Sequence, residues 1–380
     1  MHLLKKLYIN VYKFIVRCIY NFLSFFRKHD SNKVIIALYR TKELEGNLEY
    51  IYEELIKQMP NAKIHLVVGE NKMNLRLFKE IVRLSNARYL IVDDYYLPIY
   101  LVHPRIDLKV IQLWHAAGAF KKFGHSTVGT KFGPTKDYIK MVPIHSNYTH
   151  VYVTSKHIVP FYAEAFNMSQ NRIFPLGIPR VDLFNNKDKS EEVVEYMYRD
   201  FSFLKEENVN ILIAPTYRAK GTQSESKDEL TNTIIKISKL INNNIYIIFK
   251  AHPYMDKKEL GKLKECPNII IASEYSINEW MLVSDAFITD YSSSIFEFAL
   301  LKRPMAHYIP DIKEYLHNRG FYQDIHKISD GEVLLSSNEL IQWINSIEKY
   351  DFFDSTRMIK YNFDYTEDVS KRIVTHFISK

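Results

Sequence analysis

The sequence predicts an α/β protein made of two units in series, each built around a parallel sheet. Short apolar runs alternate with helix-length segments from Lys33 to Ala165, and the same alternation starts again at Asn210. Between the two series lies a polar, charged stretch that begins after Gly177-Ile178-Pro179-Arg180 and ends at Asn208. With 380 residues, 47% of them hydrophobic, the chain is long enough to bury two ordinary cores. The expected division is residues 1–30, 31–178 and 179–380.

Residues 1–28 read as one basic, amphipathic helix. Leu4, Leu7, Val11, Ile15, Ile19, Phe22 and Phe26 follow helical spacing, and no acid appears before Asp30. Lys13 and Arg17 interrupt the apolar stretch, which argues against a membrane span, and a small-residue cleavage site is missing. The pattern fits a helix lying on an anionic membrane surface, with a helix packed on the protein body as the alternative.

Strands are expected at Val34–Tyr39, Ile64–Val68, Tyr89–Val92, Val110–Trp114 and His150–Thr154, with helices at 47–59, 74–85 and 158–165. In the second series they are expected at Asn210–Ala214, Ile245–Lys250, Ile269–Ala272, Ala286–Thr289 and Pro304–Tyr308. Helices are expected at 229–242, 257–263 and 278–282, and through most of 338–380. Two such halves make Rossmann-like domains with a cleft between them, and ligands in these sheets sit beyond the carboxyl ends of the strands.

The residues with chemical potential stand at those ends. Ser292, Ser293 and Ser294 follow the strand Ala286–Thr289 and open a helix, where unpaired N–H groups and hydroxyls make a seat for phosphate. An ordinary serine cap is the alternative. His115 follows a strand and precedes small residues, with Lys121 and Lys122 nearby, which suits a general base for a hydroxyl nucleophile. Lys250 and His252 follow another strand and suit phosphate oxygens or a leaving group. Arg218, in the same turn as Thr216, suits a bidentate phosphate contact. Glu297, in the first turn of the serine-rich helix, is placed to accept from ribose hydroxyls. Asp93 and Asp94 end a strand and are candidates to orient a base or an acceptor. Each has a structural alternative: a strand-end histidine, a surface ion pair, or a favourable charge at a helix start.

Composition removes several classes. Only 11 glycines are present, with no G-x-G-x-x-G and no Walker loop. Two cysteines, Cys18 and Cys266, fit a reducing compartment rather than a disulfide framework. No cluster has metal-ligand spacing, so no cofactor is assigned, although a donor pyrophosphate can hold Mg²⁺ with few protein ligands. The net charge of +7 favours an anionic partner, but the basic residues do not interleave with aromatics in one patch, which argues against nucleic acid.

Five stretches occur together in this order. They are Gln112-Leu113-Trp114-His115-Ala116-Ala117-Gly118-Ala119-Phe120-Lys121, Gly177-Ile178-Pro179-Arg180-Val181-Asp182, Ala214-Pro215-Thr216-Tyr217-Arg218, Ala251-His252-Pro253, and Ser284-Asp285 through Tyr291-Ser292-Ser293 to Phe296-Glu297-Phe298 and Arg303-Pro304. From about Leu90 to Tyr308 the chain resembles the CDP-glycerol glycerophosphotransferase family of wall teichoic acid synthesis. The form of the stretch after Trp114 looks more like the primases than the chain polymerases. The resemblance implies a GT-B-like fold, monotopic attachment to the cytoplasmic face of the membrane, CDP-glycerol as donor and a polyprenyl-diphosphate-linked saccharide as acceptor, with CMP leaving. It matches His115 to the family's base, and His252, Arg218, Ser292 and Ser293 to its pyrophosphate-binding positions. Glu297 stands where many members have Asp, and Tyr217 where many have Trp. The rival readings are a CDP-ribitol or polymerising transferase of the same fold, a UDP-sugar glycosyltransferase or epimerase, and a non-catalytic membrane-bound partner.

Overall fold

Runs rich in Ile, Val and Leu form the strands of two separate parallel sheets. The computed structural model describes residues 3–130, 133–205, 207–216, 227–252, 255, 257–318 and 320–379. The chain divides into two units: unit 1 holds Met1–Ala116, Lys122–Asp182 and Phe363–Lys380, and unit 2 holds Ala117–Lys121 and Leu183–Asn362.

In unit 1 the strands are β1 (Asp30–Leu38), β2 (Lys63–Val68), β3 (Ala87–Val92), β4 (Lys109–Gln112), β5 (His150–Tyr152) and β6 (Ile173–Phe174). Their order is β2-β1-β3-β4-β5-β6, and every pair is parallel. Val34 to Leu38 of β1 are all buried, as a central strand covered on both faces requires.

The first helix, α1 (Leu3–Phe26), docks on this unit through Ile9, Tyr12, Val16 and Tyr20. Of the stripe expected from the sequence, Leu4, Leu7, Val11, Ile15, Phe22 and Phe26 are left exposed and Ile19 is half-buried. Lys13 donates to the Met141 carbonyl and Arg17 to that of Leu101, so two of the helix's cations grip the protein body. Among the described residues no helix is long and apolar enough to cross a membrane.

The chain's last helix, Val369–Ser379, also belongs to unit 1, which corrects the expectation that residues 179–380 form one domain. The reason lies at its start. Both Asp182 carboxylate oxygens accept from its first N–H groups, those of Val369 and Ser370, at 2.8 Å each. At its far end Lys109 donates to the carbonyl of Phe377 at 2.7 Å. Gly177 lies against the same helix: its φ is +104°, and a Cβ there would stand 2.7 Å from a Val369 methyl.

Unit 2 holds β7 (Val209–Ile213), β8 (Ile245–Phe249), β9 (Ile269–Ile271), β10 (Ala286–Thr289), β11 (Met305–Tyr308) and β12 (Glu332–Leu334). Their order is β12-β11-β10-β7-β8-β9, all parallel. Relative to the first strand of the unit this is the doubly wound order 3-2-1-4-5-6. Ile211, Ile247, Phe249 and Ile288 pack its core with Trp343 and Ile344 of the helix Ser337–Ser346.

Candidate active site

In unit 1 the winding reverses between β1 and β3, and such a switch point leaves room for a ligand beyond the strand ends. Arg40 follows β1, Asp93 and Asp94 follow β3, and His115 follows the neighbouring β4.

β4 stops at Gln112 instead of running to Trp114, because Trp114 has a φ of 53°, in the left-handed region. A bulky residue held there costs about 1–3 kcal/mol and persists only where its surroundings enforce it. The Trp114 N–H donates to Gln112 Oε1 at 2.8 Å, and its carbonyl accepts from Asn47 Nδ2 at 2.8 Å. Its indole stacks with the ring of His115, centroids 4.5 Å apart, and with that of Phe123, 4.9 Å apart.

His115 is half-buried, and its Nδ1 lies 3.0 Å from the main-chain carbonyl of Asp93. A carbonyl only accepts, so Nδ1 carries the proton and Nε2 of the neutral ring is the unprotonated, basic nitrogen. The carbonyl of His115 accepts from Arg180 Nη2 at 3.0 Å.

The two aspartates orient this turn through their carbonyls. That of Asp93 meets His115, and that of Asp94 accepts from Gln112 Nε2 at 3.1 Å. The Asp93 carboxyl is buried, and its Oδ1 has no hydrogen-bond partner among the described residues. Burial pushes its pKa up to about 7; Arg40 and Arg180 pull it down, while Asp94 adds to the rise. Burial raises Asp94 as well, although its carboxylate accepts the Tyr95 N–H at 2.7 Å.

Lys121, expected beside His115 in the N-terminal domain, belongs to unit 2. There it is half-buried and makes an isolated antiparallel bridge with Phe321, and the preceding Phe120 stacks on the Phe321 ring.

In unit 2 the switch point falls between β7 and β10. Thr216, after β7, and Asp290, after β10, are hydrogen-bonded across it, and Asp290 Oδ1 also accepts the Tyr291 N–H at 2.7 Å. The carbonyl of Asp290 accepts from Nδ1 of His307, whose Nε2 meets Ser329 Oγ at 2.8 Å. Burial lowers the His307 pKa to about 4, so the ring is neutral at ordinary pH.

The helix after the serines spans only Ser294–Phe298 before a tight turn, Ala299–Leu301. So short a helix has a small dipole, and any seat here rests on the N–H groups and hydroxyls themselves. Ser292 and Ser293 are half-buried, and the Ser292 and Ser294 hydroxyl oxygens lie 2.7 Å apart. Glu297, expected to face a ribose, is buried, and its Oε2 accepts from Asn278 at 2.7 Å.

Lys250 and His252 follow β8 and are half-buried; the Lys250 amine donates to the carbonyl of Tyr275. Arg218 lies outside the described residues.

Sequence reasoning passed over Asn47, Asp290 and His307. Asp290 stands just past a strand end, the signal that marked His115. Asn47 has no local signal, since its partners Trp114 and Arg180 are 67 and 133 residues away.

A model of the family described as CDP-glycerol:poly(glycerophosphate) glycerophosphotransferase matches residues 19–378. The chain is 37% identical over 372 residues to the teichoic acid ribitol-phosphate primase of Bacillus spizizenii, covering 95% of this chain and 94% of that one. It is 25% identical over 324 residues to the teichoic acid glycerol-phosphate primase of Bacillus subtilis, covering 84% and 81%. Among solved structures, the wall teichoic acid polymerase TagF is similar with a TM-score of 0.76 at 20% identity, covering 99% of this chain and 97% of that one. At that identity the likeness speaks for the fold, which is GT-B-like as expected.

Proposed function

Because the chain belongs to the CDP-glycerol:poly(glycerophosphate) glycerophosphotransferase family, we propose that it moves an alditol phosphate from a CDP-alditol to a hydroxyl of a polyprenyl-diphosphate-linked saccharide. The product enters wall teichoic acid or a related cell-surface polymer, and CMP is released. The observation that carries the chemistry is the His115 turn, where the bond from Nδ1 to the Asp93 carbonyl makes Nε2 the basic nitrogen.

The acceptor hydroxyl gives its proton to Nε2 of His115 as its oxygen bonds to the phosphorus that bears the alditol. The bond from that phosphorus to the bridging oxygen breaks, and its electron pair leaves with CMP. His252 and Arg218, with the hydroxyls and N–H groups at Ser292 and Ser293, stabilise the charge on the pyrophosphate oxygens, where most of the rate enhancement arises. Thr216 and Lys250 shape the turns that present these groups.

CDP-ribitol is the first choice of donor, supported by 37% identity with a ribitol-phosphate primase over nearly the full length of both chains, against 25% with a glycerol-phosphate primase. CDP-glycerol is the second reading, supported by the family model. Addition of a single unit, as in a primase, is preferred to chain extension.

The exposed apolar stripe of α1 supports a seat on an anionic membrane, on the cytoplasmic face where nucleotide-activated donors are found.

The test is CMP release by the full chain with a short-chain lipid-linked disaccharide and either CDP-ribitol or CDP-glycerol, with product masses read from the same sample. One ribitol phosphate per acceptor supports the reading. Glycerol transfer or a ladder of masses corrects its donor or its primase part. No CMP from either donor, with folded protein, returns the choice to a UDP-sugar enzyme or a non-catalytic partner.

A further inference from the structure

We infer that Asn47 is a positioning residue for His115, acting by holding Trp114 in its left-handed backbone conformation. The inference rests on the reading of His115 as the base.

Trp114 is poorly suited to a φ of 53°, and the chain offers no glycine at this position. The left-handed residue turns the chain sharply after β4, so that the next side chain, His115, meets the Asp93 carbonyl. Were Trp114 to relax to an extended or helical conformation, the direction of His115 would change with it. What keeps Trp114 in place therefore keeps the base in place.

Gln112, two residues away, holds the Trp114 N–H at 2.8 Å. The carbonyl is held from elsewhere in the fold. Asn47 sits in the first turn of α2 (Gly46–Gln58) and is 2% exposed. Its Nδ2 donates to the Trp114 carbonyl at 2.8 Å, and its Oδ1 accepts the Arg180 N–H at 3.2 Å. Both partners are main-chain groups of fixed polarity, so the carboxamide has one possible orientation. Aspartate there would face the Trp114 carbonyl with a second acceptor, and leucine would satisfy neither group. Arg180 completes the arrangement by donating from its guanidinium to the His115 carbonyl at 3.0 Å. One buried amide thus ties together the two segments that hold the carbonyls of residues 114 and 115.

The indole stacked 4.5 Å from the His115 ring gives the arrangement an electronic consequence. An aromatic face stabilises imidazolium relative to imidazole, so the stack helps set the pH at which the base is lost. Loosening Trp114 should move that pH, whereas a residue that only supports packing would leave it unchanged.

The experiment compares Asn47→Leu, Asn47→Gln and His115→Ala with the unaltered full chain. It uses whichever CDP-alditol supports CMP release with the lipid-linked disaccharide, at about pH 5 to 9, where a histidine base titrates. Asn47→Gln keeps the amide one methylene farther out and serves as the readout if Asn47→Leu does not fold. The expected result for Asn47→Leu and Asn47→Gln is a fall in kcat of about tenfold or more with donor KM within about twofold, the signature of a misplaced catalytic group. The low-pH limb of kcat is displaced as well. Unchanged kcat and an unmoved limb in a folded Asn47 variant would overturn the inference while His115→Ala remains inactive. Full turnover by His115→Ala would remove the base reading and the inference with it.

Discussion

Thr216 and Asp290 are joined twice: the N–H and the hydroxyl of Thr216 each donate to a different oxygen of the Asp290 carboxylate, both at 2.8 Å. The two residues follow β7 and β10, the strands that flank the switch point of unit 2. The pair therefore ties the turn after β7 to the turn after β10 that leads to the serines. Asp290→Ala would leave the Thr216 and Tyr291 N–H groups without this acceptor. Each such loss costs about 1–3 kcal/mol, so unfolding in urea should show a drop of ~2–6 kcal/mol. Donor KM should rise, because the turns lose their register. A variant of unchanged stability and KM would show that the carboxylate does not hold the site together.

Much of this fold can be read from the sequence because strands such as β7, β8 and β10 are covered on both faces and are nearly all apolar. The elements that escape are those without such a run. β6 has two residues and β12 has three. The helix Lys187–Asp200 buries only Met197, so it shows no apolar stripe. The return of the last helix to unit 1 depends on Asp182 accepting from Val369 and Ser370, a pairing that no local pattern encodes. The positions of His115 and Ser292 just beyond β4 and β10 are legible because the apolar runs before them mark those strands. The bond from Asn278 to Glu297 is not legible, because a carboxylate in a first helical turn looks the same in sequence whatever it accepts from.

His307 gives unit 2 a pH dependence of known sign. Its folded pKa, about 4, lies below the ordinary histidine value of 6.5 that applies when the chain is unfolded. Between those values the unfolded chain binds the extra proton, so stability falls as pH drops from about 6.5 to 4 and changes no further below that. The shift corresponds to roughly 3 kcal/mol. His307→Asn keeps a donor for the Asp290 carbonyl and has no titrating ring. Urea unfolding at pH 7 and at pH 4.5 should show a smaller loss in the variant than in the unaltered protein. Equal losses would mean that the ring is not buried neutral.

Asp93 acts with the opposite sign. Its folded pKa is raised by burial from 3.8 to about 7, so in that window the folded state holds the proton that the unfolded chain has lost. Stability from this group is intact below about pH 4, declines as pH rises, and is fully lost above about pH 7. Asp93→Asn keeps the neutral shape at every pH. It should be more stable than the unaltered protein at pH 8, by ~2–4 kcal/mol, and no more stable at pH 4. A gain of the same size at both pH values would point to packing instead of ionisation.

The base assignment predicts a loss of turnover without a loss of fold. His115→Ala should lower kcat by ~10²-fold or more, the usual scale for a missing general base. The ring is half-buried and stacked on Trp114, so some stability is lost too, and circular dichroism at the assay temperature must show a folded chain. Near-normal kcat in that folded variant would move the base elsewhere.

The proposed membrane seat and the docking of α1 on unit 1 use different faces of the helix. Ile9, Tyr12, Val16 and Tyr20 point into unit 1, while Leu7, Val11 and Phe22 are 60%, 49% and 62% exposed. Deleting residues 1–28 is therefore a poor test, because it also uncovers the surface beneath the helix. Leu7→Gln, Val11→Gln and Phe22→Gln together alter only the outward face. A fully buried apolar side chain of this size contributes about 1.5 kcal/mol or more in an apolar medium. With partial insertion, losing three should weaken binding to anionic vesicles by ~10²-fold, since 1.4 kcal/mol is a factor of ten. The thermal midpoint should stay where it is. Sedimentation with phosphatidylglycerol vesicles at low and high salt reads the two contributions apart, because salt screens the lysines and leaves the apolar part. Undiminished binding by the triple variant at high salt would place the membrane contact on another surface of the protein.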